Sequence, residues 1–122
     1  ILYLTEGWDE AWGGHVSLWT NDEEKHQPKE MIEKVAPQFN RAVIFDTTCN
    51  SWHGLPETIT CPDDQARKSL AIYYLSQPNE KAPDRGKALF APFEDQKDDQ
   101  DVLDLIDKRS NVKTAGQVWK KD

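Results

Sequence analysis

The chain has 122 residues and a formal net charge of −7 at pH 7, with 37% hydrophobic and 30% charged residues. This length suits a single domain with a modest core. Nucleic acid is disfavoured as a partner, because phosphate binding needs clustered lysine and arginine. No apolar run is long enough to cross a bilayer, so we expect a soluble, cytoplasmic protein that makes no membrane contact.

Short β-strands are predicted over most of residues 1–76. Alternation of apolar and polar side chains predicts a strand from His15 to Thr20, and the charges of residues 21–29 predict a loop after it. Glu30–Ala36 has the composition of a short helix or a strand, and Pro37 favours the strand because it disfavours helical geometry before it. The other predicted strands are Ile1–Leu4, Arg41–Thr47, Trp52–Gly54 and Arg67–Leu75.

Residues 77–122 differ in composition from the strand-rich part. Pro and charged residues predict a linker, and Asp99–Arg109 is predicted as a helix with acids at its start and bases at its end. Strands followed by a helix favour a mainly β fold with antiparallel pairing. We expect residues 1–76 to be the core and 77–122 a linker and helical extension of the same domain.

Arg67 and Ser69 form the first chemical pattern. Side chains two residues apart lie on one face of a strand, so the guanidinium and the hydroxyl point the same way. Together they can hold a carboxylate, since the guanidinium offers a planar fork of donors. The alternative is an arginine at a strand start that pairs with a surface acid.

His53 is the strongest candidate for a metal ligand, because strand-like segments lie on both sides of it. Imidazole binds Fe, Zn and Cu, so a single histidine identifies no metal. The alternative is a structural histidine at a strand edge. His15 and His26 are weaker candidates, and Cys49 and Cys61 lack CxxC spacing, so we expect two free thiols rather than a disulfide.

Three segments occur in order along the chain: WDEAWGGHVSLW, PQFNRAVIFDTTCNSWHGLPETITCP and RKSLAIYYLS. Together they resemble the 2-oxoglutarate- and Fe(II)-dependent dioxygenases, in the prolyl 4-hydroxylase-like branch. The resemblance covers about residues 1–76. It implies a double-stranded β-helix (a jelly roll of the cupin type), incomplete at its N-terminus, with a C-terminal helix.

The resemblance also assigns roles to residues. It implies that His53 is the distal iron ligand, and that Arg67, Ser69 and Tyr3 bind the far carboxylate of 2-oxoglutarate, with no further catalytic residue. The implied cofactors are Fe(II) and 2-oxoglutarate, with ascorbate as an additional candidate. The implied reaction is hydroxylation of a C–H bond, with a prolyl residue of a protein or peptide as substrate and a free small molecule as the alternative.

The family places its other two iron ligands in a His-x-Asp motif on an upstream strand, and no His-x-Asp occurs in these 122 residues. We therefore expect a fragment that is inactive by itself. The alternative is a non-catalytic jelly-roll module for binding or assembly. Open strand edges tend to pair with another chain, so we also expect a homo-oligomer formed through them.

Overall fold

A computed structural model describes residues 1–48, 50–74, 77, 80, 88–111 and 113–114. The chain divides into two compact units, Ile1–Gln77 and Pro78–Asp122. The described part is mainly β, with antiparallel pairing and a helix near the C-terminus. Its strands and α-helix are β1 (Leu2–Tyr3), β2 (Val16–Asp22), β3 (Gln27–Val35), β4 (Trp52–Gly54), β5 (Ser69–Leu70) and α1 (Gln100–Ser110).

Strand β2 is the centre of a three-stranded antiparallel sheet in the order β3-β2-β4. Its first residue, Val16, is opposite Val35, and Leu18 is opposite His53 on the other side. The strands predicted around His15–Thr20, Glu30–Ala36 and Trp52–Gly54 are therefore confirmed. A double-stranded β-helix stays a prediction.

The predicted loop at residues 21–29 is wrong. Strands β2 and β3 continue through its two ends, where Asp22 is opposite Gln27, and only the four residues between them form a turn. The Asp22 carboxylate accepts hydrogen bonds of 3.0 Å from the backbone N–H groups of Glu24 and Lys25, and this closes the turn. Charged side chains are compatible with these strand ends because they are exposed to solvent.

Strand β1 is hydrogen-bonded on both sides, although it is only two residues long. On one side it pairs with β5, with Tyr3 opposite Ser69. On the other side it forms a bridge between Leu2 and Ala42, and the Tyr3 N–H donates to the Arg41 carbonyl at 3.0 Å. The segments before and after β4 are thereby joined through β1.

Two predicted strands are wrong in extent. Arg41–Thr47 contributes only the bridge at Ala42, and Arg67–Leu75 contributes only Ser69–Leu70; Leu75 lies outside the described residues. Among the described residues, neither segment pairs with a strand beyond these positions. The apolar side chains there are exposed: Ile44 88%, Ile72 58%, Tyr73 76% and Tyr74 88%. Strand propensity alone does not form a strand without a paired neighbour.

The buried side chains of the first unit lie around β1 and the start of β2. They include Tyr3, Thr5, Trp8, Val16, Ser17 and Ala36. Trp8 packs edge-on against Trp12 in a short 3₁₀ helix, Glu10–Trp12, with ring centroids 5.3 Å apart. This small core supports the connection between β1 and β2.

The second unit contains α1, which confirms the helix predicted at Asp99–Arg109. Asp99 caps it: its carboxylate accepts from the backbone N–H groups of Asp101 and Val102. Among the described residues, no helix has the length and apolar character to cross a membrane. The membership of residues 77–122 in the same domain as residues 1–76 stays a prediction.

Thr5 provides the first testable prediction. Its buried hydroxyl donates to the Ala66 carbonyl at 2.7 Å and accepts from the Lys68 N–H at 2.8 Å, so it holds the backbone on both sides of Arg67. Thr5→Val should lower the free energy of unfolding by about 1–3 kcal/mol, because it leaves these two groups without their partner. Urea denaturation measures this loss.

Thr5→Ser is the matched control, since it keeps the hydroxyl and removes one methyl group. It should cost less than Thr5→Val. Equal losses from the two substitutions would show that the hydroxyl is not what fastens Ala66 and Lys68 to β1.

Candidate functional site

Arg67 lies against Tyr3, although 64 positions separate them in the sequence. Tyr3 is fully buried on β1, and Arg67 comes two residues before β5. The guanidinium carbon is 4.9 Å from the centre of the Tyr3 ring, and Nη2 donates to the Tyr3 hydroxyl at 3.4 Å. A cation over an aromatic face is attracted by the ring, so Tyr3 forms a rigid support for the guanidinium.

Gly14, the second residue of a glycine pair, also holds the Arg67 side chain in place. Gly13 and Gly14 both have φ of +76°, a left-handed conformation that glycine adopts without strain. The Gly14 carbonyl accepts from Arg67 Nε at 2.7 Å, and the Gly13 carbonyl accepts from Trp8 Nε1 at 3.1 Å. A Cβ on Gly14 would lie 2.8 Å from Arg67 Cδ, so a larger residue would displace the arginine.

The charge of Arg67 has no acidic partner in the described part of the chain. No carboxylate there lies within 4.0 Å of its guanidinium, and Gly14 and Tyr3 take two of its five N–H groups. The side chain is half-buried, where an unpaired charge is costly. Among these residues, the predicted alternative of a surface acid paired with Arg67 is not found. A carboxylate ligand fits the free donors.

Ser69 is close to the same pair. It is opposite Tyr3 in the β1–β5 register and two residues beyond Arg67. Its side chain is exposed, as a residue that contacts a ligand can be. The structure therefore brings together the three residues predicted to bind a carboxylate.

His53 lies in a different environment, on β4. Its ring packs against Phe45 with centroids 4.7 Å apart. His53 is exposed at the surface, yet desolvation by neighbouring protein atoms lowers the pKa of His53 from its ordinary value, while a backbone hydrogen bond with Ser51 acts in the opposite direction. The neutral imidazole that metals bind is therefore favoured at neutral pH.

His53 also lines an open, mainly apolar cleft of about 500 Å³. Tyr3, Arg67 and Ser69 are not among the residues that line it. The lining residues are Leu18, Trp19, Thr20, Asn21, Glu23, Ile32, Phe45, Asp46, Asn50, Ser51, Trp52 and His53. The predicted site residues thus form two groups, one around Arg67 and one at this cleft.

The described residues do not complete an iron site. They contain no group of three or more His, Cys, Asp or Glu side chains that could hold a metal ion. His53, the predicted ligand, offers one nitrogen donor, and a facial triad needs a second histidine and a carboxylate. The described residues therefore fit one of the three ligand positions of a facial triad, not all three.

His15 contacts an acid that sequence reasoning did not identify. Its Nδ1 lies 3.3 Å from the Glu57 carboxylate, which also pairs with Lys34. The hydrogen bond from Lys34 is the main cause of a lowered pKa of Glu57. This cluster joins the loop after β4 to β3, so His15 is assigned to structure. Cys61 is a free thiol, as predicted, and Cys49 lies outside the described residues.

The role of Gly14 was also missed. In the sequence, Gly13-Gly14 predicts only a break in regular structure. A glycine pair directly before a strand is nevertheless a usable signal, because it allows another chain segment to approach closely. Only the tertiary structure shows that the approaching group is Arg67.

Comparison with known proteins identifies the family. A family model described as the 2OG-Fe(II) oxygenase superfamily matches residues 1–75, which is more than half of the chain. The chain belongs to the 2OG-Fe(II) oxygenase superfamily, and the resemblance drawn from its three segments is confirmed.

Two curated relatives are named prolyl 3-hydroxylase OGFOD1. The mouse protein, from Mus musculus, is 31% identical over 74 residues, which cover 61% of this chain and 13% of that protein. The Xenopus laevis protein is 28% identical over 83 residues, which cover 68% of this chain and 16% of that protein. The chain thus spans a small part of these relatives, and no solved structure matches it significantly.

Gly14 gives the prediction for this site. Gly14→Ala should lower the free energy of unfolding more than Gly7→Ala, by about 1–3 kcal/mol, because the new Cβ meets Arg67. Gly7 is a matched control: it has φ of +65°, and a Cβ placed there would have no atom within 4 Å, so both substitutions carry the left-handed backbone cost. Chemical denaturation of both variants measures the difference.

The same pair of substitutions in an Arg67→Ala background completes the test. Removing the arginine side chain removes the overlap, so the two alanine variants should then cost the same. If Gly14→Ala still lowers the free energy of unfolding more than Gly7→Ala in the Arg67→Ala background, the proposed overlap between the new Cβ and Arg67 is contradicted.

Proposed function

We propose that this chain provides the 2-oxoglutarate-binding part, and one iron ligand, of an oxygenase that hydroxylates a C–H bond of a prolyl residue in a protein or peptide. The observation that carries the proposal is the Arg67 guanidinium, half-buried over Tyr3 with no acid partner among the described residues. Membership in the superfamily supports the choice of 2-oxoglutarate, whose far carboxylate matches these donors.

Each residue of the Arg67 group has a separate task. Arg67 would supply the charge and two parallel N–H donors to the far carboxylate of 2-oxoglutarate. The Tyr3 hydroxyl and Ser69 would add hydrogen bonds from the neighbouring positions. Gly14 accepts from Nε, and so orients the guanidinium before the ligand arrives. Such preorganisation lowers the entropic cost of binding.

His53 would be a neutral nitrogen ligand to Fe(II), since desolvation by neighbouring protein atoms favours its uncharged form. Fe(II) and 2-oxoglutarate, when bound, would supply the oxidising chemistry together with O₂: O₂ is the oxidant, one of its oxygen atoms enters the substrate C–H bond, and 2-oxoglutarate is oxidised to succinate and CO₂. Ascorbate is a further candidate cofactor, as a reductant that keeps the iron in the Fe(II) state. Because the described residues hold one ligand of three, the part of these residues in catalysis is to bind and orient. The names of the two relatives support a prolyl residue as the substrate, and they specify hydroxylation at its C3 position.

The experiment compares succinate formation from 2-oxoglutarate in the full-length natural protein that carries this chain, with and without Fe(II). His53→Asn should remove most of the turnover. His26→Asn, in the exposed turn between β2 and β3, should leave it unchanged, because asparagine tolerates the left-handed φ of 50° at that position. We expect the 122-residue chain alone to bind 2-oxoglutarate without converting it.

Full turnover in the His53→Asn protein would overturn the ligand assignment. Turnover by the 122-residue chain alone would contradict the need for ligands outside it. Mass spectrometry of a product peptide should show a gain of one oxygen atom on proline, and NMR of that peptide distinguishes C3 from C4.

A second function has one observation in its favour: the described residues do not hold a complete set of iron ligands. A non-catalytic jelly-roll module for binding or assembly needs no iron site. It would bind its partner equally well after His53→Asn and Arg67→Ala, and would show no iron-dependent succinate formation. Such a module would also be expected to self-associate through strand edges, which light scattering of the chain at increasing concentration detects.

A further inference from the structure

The cleft beside His53 has aromatic walls that hydrogen bonds hold in place. Trp19 Nε1 donates to the Ser17 hydroxyl at 2.7 Å, and Trp52 Nε1 donates to the Asn21 side-chain oxygen at 2.9 Å. Phe45 packs on His53 itself. These rings are fixed before a ligand arrives, and a fixed apolar surface binds a rigid apolar group at low entropic cost.

The charged residues that line the cleft are both acids. They are Glu23, at the turn after β2, and Asp46, in the segment before β4; among the described residues, no lysine or arginine lines the cleft. Both side chains are exposed, so they remain available to a partner. In a chain of net charge −7, this cleft therefore favours cationic groups and disfavours anionic ones.

We propose that this cleft docks a basic peptide segment, with a proline-sized apolar ring against the aromatic walls and a neighbouring lysine or arginine facing Glu23 and Asp46. Its volume of about 500 Å³ suits a short stretch of peptide, not a whole protein surface. The location next to His53 makes it the substrate-binding surface, and this point rests on the proposed function.

Charge complementarity selects the occupant. An acidic peptide would meet two carboxylates at the rim with no cation among the lining residues to offset them. A neutral apolar peptide would use the walls and leave both acids without a partner. A basic peptide uses both features, so the structure favours it over the other two.

The test measures binding of synthetic peptides to the full-length natural protein that carries this chain, without Fe(II) or 2-oxoglutarate. Three peptides have the same length: one with a central proline flanked by lysines, one with the lysines replaced by glutamates, and one with the proline replaced by alanine. The lysine peptide should bind tightest. Its preference over the glutamate peptide should shrink as salt is added.

The variant Glu23→Gln/Asp46→Asn should weaken the lysine peptide about fivefold, as expected for two exposed ion pairs. Its matched control is Glu24→Gln/Asp64→Asn, which makes the same change in net charge at exposed acids that do not line the cleft. The control should leave the affinity unchanged. Trp52→Leu should reduce the preference for proline over alanine.

Equal binding of the lysine and glutamate peptides would overturn the proposal. An equal loss in the two double variants would also overturn it, because the preference would then come from overall charge. Binding as predicted without iron-dependent turnover would support the docking surface and contradict the proposed function. Iron-dependent turnover that does not change with the charge of the residues flanking the proline would support the proposed function and contradict the docking surface.

Discussion

The organisation of the first unit depends on β1 being hydrogen-bonded on both of its edges. Leu2 and Tyr3 pair with β5 on one side and contact residues 40–42 on the other. These flanking segments come from either side of β4 in the sequence. Strand β1 therefore brings distant parts of the chain together, and Thr5 extends the connection by bonding on both sides of Arg67.

This arrangement creates an electrostatic requirement at Arg67. The guanidinium rests on a fully buried tyrosine ring and donates to the Gly14 carbonyl, yet no carboxylate of the described residues balances its charge. A carboxylate ligand with bidentate geometry would supply the missing counter-charge. We propose that this ligand is 2-oxoglutarate, and membership in the 2OG-Fe(II) oxygenase superfamily supports that choice.

The sequence predicted local structure better than long-range pairing. Strand β2 and helix α1 follow from side-chain periodicity, which depends on neighbours in the chain. The strands predicted at Arg41–Thr47 and Arg67–Leu75 were too long. Their prediction used local strand propensity, whereas the length of a paired strand depends on a partner from elsewhere in the chain, which here is β1. The length of the charged turn between β2 and β3 was overestimated, because charged residues also occur at the solvent-accessible ends of paired strands.

The candidate site shows the same difference between what local sequence predicts and what only the tertiary structure shows. The spacing of Arg67 and Ser69 left a carboxylate clamp and a surface ion pair as alternatives, and the resemblance of the surrounding segments selected the clamp and added Tyr3; the carboxylate role stays a prediction. The contact between Arg67 and the Gly14 carbonyl could not be predicted, because only the tertiary structure brings position 14 to position 67. The cleft at His53 is likewise assembled from three separate parts of the chain, and no local pattern indicates it.

The central claim is that Arg67 binds the far carboxylate of 2-oxoglutarate. The most direct measurement compares the dissociation constants of 2-oxoglutarate and 2-oxopentanoate, which has a methyl group in place of that carboxylate, for the chain with Arg67 and for Arg67→Ala. Our account predicts a strong preference for 2-oxoglutarate that Arg67→Ala abolishes, with little change for 2-oxopentanoate. A preference that survives the substitution would contradict it.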